Sequence, residues 1–429
     1  MKKVLFISYD GMTDPLGQSQ VIPYLKGLSQ AGYKISILSF EKPVRLEKNR
    51  SQIQSLLDAA GINWHPLLFT RKPPILSKIY DKWQMKSTAK KLHRKEGFDL
   101  IHCRSYVSAE AGVMLSKKFN VPFLFDMRGF WVDERVDNGQ WNQKKLIYRM
   151  AYRSYKKKEI TFLHSPDHII SLTENGKEEL VTNKGVAADK ITVIPCCVDL
   201  AHFDYHKIDP VAADALRATL GIQHGTPVLT YLGSLGGWYL TDEMLHFFKK
   251  MKEKYASAKF LFITQDAPAS ILALAEKWKI DPADIIVRPA SRNEVPLYLS
   301  LSDWSIFFIK DAYSKKASSP TKQGEIMAMG VPLICNAIGD TGFIVTQTGA
   351  GVVVDGFTNE SYDTAINEMD RLRNLRKEEL RDVFELATVV VGRAGAGTVT
   401  ELCALGKAAL YIPLVPTGGD EQTQQLRHL

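Results

Sequence analysis

The sequence predicts an α/β protein: two consecutive parallel-sheet domains, followed by a truncated strand-loop-helix tail. The first ground is length, because 429 residues at roughly 100 to 200 residues per domain call for two or three domains. The second is that short apolar runs alternate with stretches of helical spacing, as in parallel strands joined by right-handed crossovers. The third is that this alternation restarts after a polar region at 204–226. The expected domains are 1–205, 206–377 and 378–429.

Taken in order, residues 3–8 (KVLFIS) form an opening strand and the loop YDGMTDPLGQ follows. Ser19 is placed to cap a helix marked by Val21, Ile22, Leu25 and Leu28. Gly32 ends that helix, and residues 34–40 (KISILSF) complete a βαβ unit. Further strands are predicted at 100–103, 123–126, 168–172 and 191–194. In the second domain they are predicted at 228–232 (VLTYL), 260–264 (FLFIT), 285–288 and 305–309. A ligand of two such domains is expected in a cleft between them, outside the carboxyl ends of both sheets.

Composition narrows the class. With 45% hydrophobic and 24% charged residues, a disordered chain, a collagen-like repeat and a coiled coil are all excluded. The longest uncharged stretches, 326–339 and 341–354, carry Gly, Pro, Asn or Thr and fall short of the roughly 18 apolar residues of a membrane span. Residues 4–7 are too short for a signal-peptide core, and Asp10 follows with no cleavage site. A cytoplasmic protein is expected. Cys103, Cys196, Cys197, Cys335 and Cys403 are odd in number and lack paired metal-ligand spacing, which reads as buried reduced thiols.

The segment SSPTKQGE, residues 318–325, has the form of a phosphate and ribose site. Ser319 can cap a helix starting at Pro320, leaving the amides of Thr321 to Gln323 to face an anion. Lys322 adds positive charge. Glu325, three residues on, lies on the same helical face, where a carboxylate can accept hydrogen bonds from two vicinal hydroxyls. A capped surface helix is the alternative. The loop at 10–19 holds the matching place in the first domain, with Gly17 allowing close backbone approach and the helix start offering amides. It is neither GxGxxG nor a Walker A sequence. Arg104 and Arg128 each follow a predicted strand, where either guanidinium can neutralise a leaving diphosphate or form a structural ion pair. Asp126 is a candidate for orienting an acceptor hydroxyl or Arg128, and His102 reads as a packed histidine.

Together, the first strand with its glycine loop, IPCCVDLAHF at 194–203, YLGSLGGWY at 231–239 and SPTKQGEIMAMGVP at 319–332 resemble a glycosyltransferase of the GT-B fold, family 4, over about 1–376. The resemblance implies transfer of a sugar from a nucleotide diphosphate donor with retention, no metal ion and no other cofactor. It assigns Glu325 to the donor ribose, Lys322 with neighbouring amides to the diphosphate, and Gly17 and Gln18 to the loop that closes over the phosphates or sugar. Two positions depart from the family pattern. Ala317 stands where a second glutamate is usual, and GSLGGWY at 233–239 supplies neither of the usual Arg and Lys.

The tail resembles a different GT-B enzyme. VVVGRAGAGTVTE at 389–401, with Gly406 and Pro413, is similar to the donor-binding segment of the N-acetylglucosaminyltransferase that acts on the lipid-linked peptidoglycan precursor, over about 378–429. In that family Glu401 would bind the ribose and a Gln in DEQTQQ, residues 420–425, the sugar. EIMAMG at 325–330 and ELCALG at 401–406 share one pattern, yet one donor site uses one ribose-binding glutamate. The reading is a joined chain in which Glu325 serves the donor and the tail packs at a sheet edge.

Charge adds a partner. Residues 71–95 hold nine Lys or Arg against one acid, Asp81, with Tyr80 and Trp83 interleaved, and 142–158 hold seven basic residues and no acid. Attraction to an anionic membrane surface or a lipid diphosphate acceptor is expected, with solvated helix faces as the alternative. Nucleic acid is not an expected partner, because no reading motif accompanies the charge. The function expected is a glycosyltransferase with a nucleotide sugar donor and a glycan or lipid-linked acceptor, peripheral at the inner membrane face. A sugar-nucleotide epimerase and a non-catalytic nucleotide-sugar binding protein are the alternatives.

Overall fold

The computed structural model describes residues 1–374 and the strand segments Val390–Arg393 and Ala409–Ile412. The described chain divides into two units, Met1–Pro195 with Ala312–Ser318, and Cys196–Asp311 with the residues from Ser319 onward. This division falls ahead of the expected 205/206 boundary because Phe203 is already buried in the second unit's core, with Val198, Leu200 and Tyr205 packed on it.

The first unit is built on seven parallel strands: β1 (Lys3–Ser8), β2 (Lys34–Glu41), β3 (Asn63–Leu68), β4 (Leu100–Arg104), β5 (Phe123–Asp126), β6 (His168–Ser171) and β7 (Ile191–Val193). Their spatial order is β3-β2-β1-β4-β5-β6-β7. The order reverses between β1 and β4, a switch point that leaves a crevice at the carboxyl ends of those two strands. Side chains alternate across the sheet as the pleat requires. Leu5 and Ile7 enter one core with α3 (Pro74–Glu96), α4 (Ser105–Phe119) and α6 (Leu146–His164), and Phe6 enters another with α1 (Ile22–Gln30) and α2 (Pro43–Ala59). The shorter α5 (Trp131–Asp137) and α7 (Glu174–Lys184) complete the unit.

β3 is absent from the sequence reading because His65 and Pro66 break its apolar run. Its edge position tolerates a proline that cannot donate to a ladder. Ser19 does not cap a helix: it lies inside a π-helical turn, Gly17–Val21, that runs straight into α1, and its hydroxyl donates to the Pro15 carbonyl at 2.8 Å.

In the second unit six parallel strands lie in the order β10-β9-β8-β11-β12-β13. They are β8 (Val228–Leu232), β9 (Lys259–Ile263), β10 (Ile285–Arg288), β11 (Trp304–Phe307), β12 (Leu333–Cys335) and β13 (Gly351–Val353). The switch point here lies between β8 and β11. Helices α8 (Pro210–Thr219), α9 (Thr241–Met251), α10 (Pro268–Lys277), α11 (Val295–Leu299), α12 (Thr321–Ala328), α13 (Thr341–Thr348) and α14 (Asn359–Arg373) accompany the sheet.

Residues 312–318 belong to the first unit although their neighbours in sequence belong to the second. Lys315 pairs with Glu134 at 2.9 Å, Lys316 with Glu179 at 3.0 Å, and the Tyr313 hydroxyl donates to Glu179 at 3.0 Å.

The strands β14 (Val390–Arg393) and β15 (Ala409–Ile412) pair with each other in a separate parallel two-stranded sheet. Among the described residues they do not extend the six-stranded sheet by hydrogen bonding. Glu401, Cys403, Gly406, Pro413 and 420–425 lie outside the described residues. Burial holds for Cys103 and Cys335, whereas Cys196 is half-buried and Cys197 exposed, so the reading of uniformly buried thiols is corrected. Among the described residues, no helix is long and apolar enough to cross a membrane.

Candidate functional site

The sequence-predicted residues gather in two groups, one at the switch point of each unit. In the first unit the loop after β1 is tied down by a residue the sequence reading missed. Glu41, at the end of β2, is fully buried and accepts hydrogen bonds from the amides of Met12 (2.8 Å) and Thr13 (3.0 Å) and from the Thr13 and Ser39 hydroxyls (both 2.6 Å). Asp14 pairs with Lys42 at 2.8 Å and with Arg45. Glu41 lies one residue beyond the predicted strand end at Phe40, and no local signal marks it as buried or names its partners.

At Gly17 the loop leaves no room for a side chain. A Cβ there would lie 2.2 Å from the Gly11 carbonyl oxygen and 2.7 Å from Met12 Cα, so the loop packs on itself at that point. Gln18 braces the same loop, its side-chain amide donating to the Thr13 carbonyl at 3.1 Å.

Beside this loop, β4 and β5 deliver Arg104 and Asp126 at adjacent register positions, and Arg128 follows with a left-handed φ of 57°. Asp126 is buried with Arg104 Nη1 at 3.6 Å, Arg128 Nη1 at 3.8 Å and His102 Nε2 at 3.8 Å. Both guanidinium groups also donate to Gln20 Oε1, at 2.8 Å from Arg104 and 3.0 Å from Arg128. Burial pushes the Asp126 carboxyl up, but Arg128, His102 and Arg104 outweigh it and hold the group below the usual carboxylate range. The two arginines, Asp126 and Gln20 thus form one network. His102 packs edge-on against Phe6 at 4.7 Å.

In the second unit, α12 brings Lys322 and Glu325 to one face, as their spacing requires. Ser319 is not its cap: Pro320 holds that position, and the Ser319 hydroxyl accepts from the Cys196 amide at 3.0 Å. Thr321 opens the helix, and the Gln323 amide is spent on the Pro320 carbonyl at 3.0 Å, so the expected row of anion-facing amides is shortened.

The Lys322 ammonium stands 3.6 Å from the Tyr239 ring centre and 4.3 Å from that of Tyr231, and donates to the Tyr231 hydroxyl at 3.1 Å. Cation–π attraction only partly replaces lost hydration. Burial therefore pulls the lysine down to about 7, against the opposing pull of Glu325. Gly233, with φ of 106°, lets the loop after β8 pass over this ammonium, since a Cβ there would come within 3.1 Å of Nζ. The loop after β8, which carries neither the usual Arg nor Lys, thus packs on a lysine arriving from α12.

Glu325 is likewise enclosed, and burial raises its carboxyl. Arg292 Nη1 opposes that shift from 3.0 Å. The Arg292 carbonyl is within hydrogen-bond distance of His202 Nε2 at 3.0 Å, and its guanidinium lies 5.3 Å from the Phe203 ring centre. Arg292 was missed because only the loop after β10 brings it to a helix 33 positions later. Ala317 is buried in the first unit's core.

Residues 19–202 match the family Glycosyltransferase Family 4, and residues 372–426 match the glycosyltransferase family 28 C-terminal domain. The chain is 23% identical over 269 residues to a D-inositol 3-phosphate glycosyltransferase of Xylanimonas cellulosilytica, covering 62% of each chain. It therefore spans about three-fifths of the length of such relatives. A further 52 residues, 12% of this chain and 13% of the relative, are 42% identical to the UDP-N-acetylglucosamine–N-acetylmuramyl-(pentapeptide) pyrophosphoryl-undecaprenol N-acetylglucosamine transferase of Polaromonas sp.. Anabaena HepE in complex with UDP-glucose shares the fold with a TM-score of 0.64 at 12% identity, over 90% of this chain and 94% of that one. The body of the chain thus resembles GT-B glycosyltransferases of family 4, and the tail resembles the C-terminal domain of glycosyltransferase family 28.

Proposed function

We propose that the chain transfers a sugar from a nucleoside diphosphate donor to a glycan or lipid-linked acceptor, with retention and without a metal ion. The observation that carries this reading is Lys322 and Glu325 side by side on α12 at the switch point of the second sheet. One is a cation in an aromatic cage, the other a carboxylate held by Arg292. In this reading Glu325 accepts from the ribose hydroxyls, and Lys322, with Ser319 and Thr321 at the start of α12, meets the diphosphate. The family domain supports it, as does the UDP-glucose bound by HepE.

The leaving diphosphate would gain from donors already in place, with a lysine that gains its proton as the diphosphate binds, so that little solvent reorganisation is needed as the bond breaks. Within the first unit, Gly17 and Gln18 are assigned to the loop that meets the phosphates or sugar, and Arg104 to anion binding. Asp126 is assigned to orienting the acceptor hydroxyl, and Arg128 to the charge that develops on departure. Acceptor attack occurs on the face the diphosphate leaves, which gives retention. The basic stretches at 71–95 and 142–158 favour an acceptor at an anionic membrane surface, placing the protein peripherally on the inner face.

Turnover tests the proposal. With a panel of nucleotide sugars and candidate acceptors, free nucleoside diphosphate and a glycosylated product of unchanged anomeric configuration are expected, with or without chelator. A non-catalytic binder, the reading that the buried Ala317 favours, would bind the sugar nucleotide and release nothing. An epimerase would change the sugar without needing an acceptor.

A further inference from the structure

Two helices of the first unit turn apolar residues outward while each buries an acidic one inside. On α3 the residues facing the core are Ser77, Asp81, Met85 and Ala89, all buried. On the opposite face Leu76, Ile79, Tyr80 and Trp83, at i, i+3, i+4 and i+7, are 64%, 59%, 49% and 63% exposed. Core demand explains this inversion only on the inner side, where Asp81 accepts from the Tyr9 hydroxyl at 2.6 Å and from the Thr70 amide at 3.3 Å. Among the described residues, nothing covers the outer side.

α6 repeats the arrangement. Its Glu159 is buried against the Tyr106 hydroxyl at 2.9 Å and Lys156 at 2.6 Å, while Leu146, Ile147 and Met150 are exposed. The two helices flank α4, where Lys82 and Lys86 of α3 and Lys158 of α6 all reach Glu110, at 2.8, 2.9 and 2.9 Å. Arg71, Lys72, Lys144, Lys145, Arg149 and Arg153 are exposed around these apolar residues, and the single acid of both stretches, Asp81, is inside.

We propose that the outward faces of α3 and α6 insert into the interfacial zone of an anionic lipid bilayer. This rests on the reading of the basic stretches as lipid-facing and adds an apolar anchor that charge alone does not supply. Aliphatic and indole side chains suit the headgroup–acyl boundary, and a ring of lysine and arginine suits anionic headgroups. A second copy of the chain is the poorer occupant, because pairing two such faces opposes like charges.

The test is flotation of the full chain with vesicles of phosphatidylglycerol and phosphatidylcholine, against phosphatidylcholine alone. The wild type is expected to bind the anionic vesicles and to retain part of that binding at high salt. Ile79→Glu with Trp83→Glu should weaken partition about tenfold or more, since each change removes buried apolar area and adds like charge. A milder Trp83→Ser variant should fall between, and circular dichroism checks folding. Partition unchanged in the double variant, or wild-type binding wholly abolished by salt, overturns the insertion. So does lipid-free self-association of the wild type that the double variant loses. UDP-sugar affinity measured on the same variants should stay at the wild-type value, so failure of the donor reading registers separately.

Discussion

Arg292 donates to Glu325 across 3.0 Å while Phe203 lies under its guanidinium, so a residue from another loop opposes the upward pull of burial on the carboxyl assigned to the ribose. Burial pushes Glu325 up and Arg292 pulls it down. Arg292→Met should therefore move the carboxyl further up. Because a carboxylate accepts two hydroxyl hydrogen bonds, nucleotide binding is lost as pH falls through that value, and the loss should begin at higher pH in the variant. Calorimetric affinity for UDP between about pH 5 and pH 8 measures it. Identical pH profiles would show that Arg292 does not act through Glu325.

Glu325→Ala should weaken donor binding by about 1 to 3 kcal/mol, the usual cost of losing a charged hydrogen-bond partner. Glu401→Ala should leave it unchanged, because the six-stranded sheet that positions Glu325 is formed without β14 and β15. Loss in the Glu401 variant with a silent Glu325 variant would transfer the donor site to the tail.

Lys322 is pulled down to about 7 by burial. A diphosphate that stabilises the ammonium raises it, so binding at about pH 8 should take up a proton and weaken as pH rises above 7. Calorimetry in buffers of different ionisation enthalpy reads the uptake. Lys322→Met should lose both the uptake and much of the affinity; retained uptake in that variant points to another group.

Gly17→Ala would place a methyl 2.2 Å from the Gly11 carbonyl oxygen. The loop must shift, at a cost of about 1 to 3 kcal/mol typical of overpacking. Denaturant unfolding measures it, and a neutral result would mean that the Gly11–Met12 backbone yields freely.

Asp126→Asn leaves Arg104 and Arg128 facing a neutral amide. The expected loss is about 3 kcal/mol, toward the low end for a broken buried pair because the contacts are 3.6 and 3.8 Å long. The native carboxyl is held low, so its stabilisation is present above the unfolded carboxylate value and lost as pH falls through the folded one. Urea unfolding at neutral and at acid pH should show the difference between wild type and variant shrinking on acidification.

The sequence by itself determined the class of fold and the pairing within α12. Strands such as β5 and β10 are apolar runs flanked by turn residues, and the i, i+3 spacing of Lys322 and Glu325 obliges one helical face, because both signals are local. β3, with its His65 and Pro66, and the three-residue β12 and β13 are too broken or too short for periodicity. Only their sheet neighbours make them strands. Tertiary structure alone decided that Glu41 organises the first loop and that Arg292 reaches Glu325. It also decided that Asp81 lies inside while Trp83 lies outside. Each depends on which residues the sheet order brings together, and distance along the chain carries no record of that.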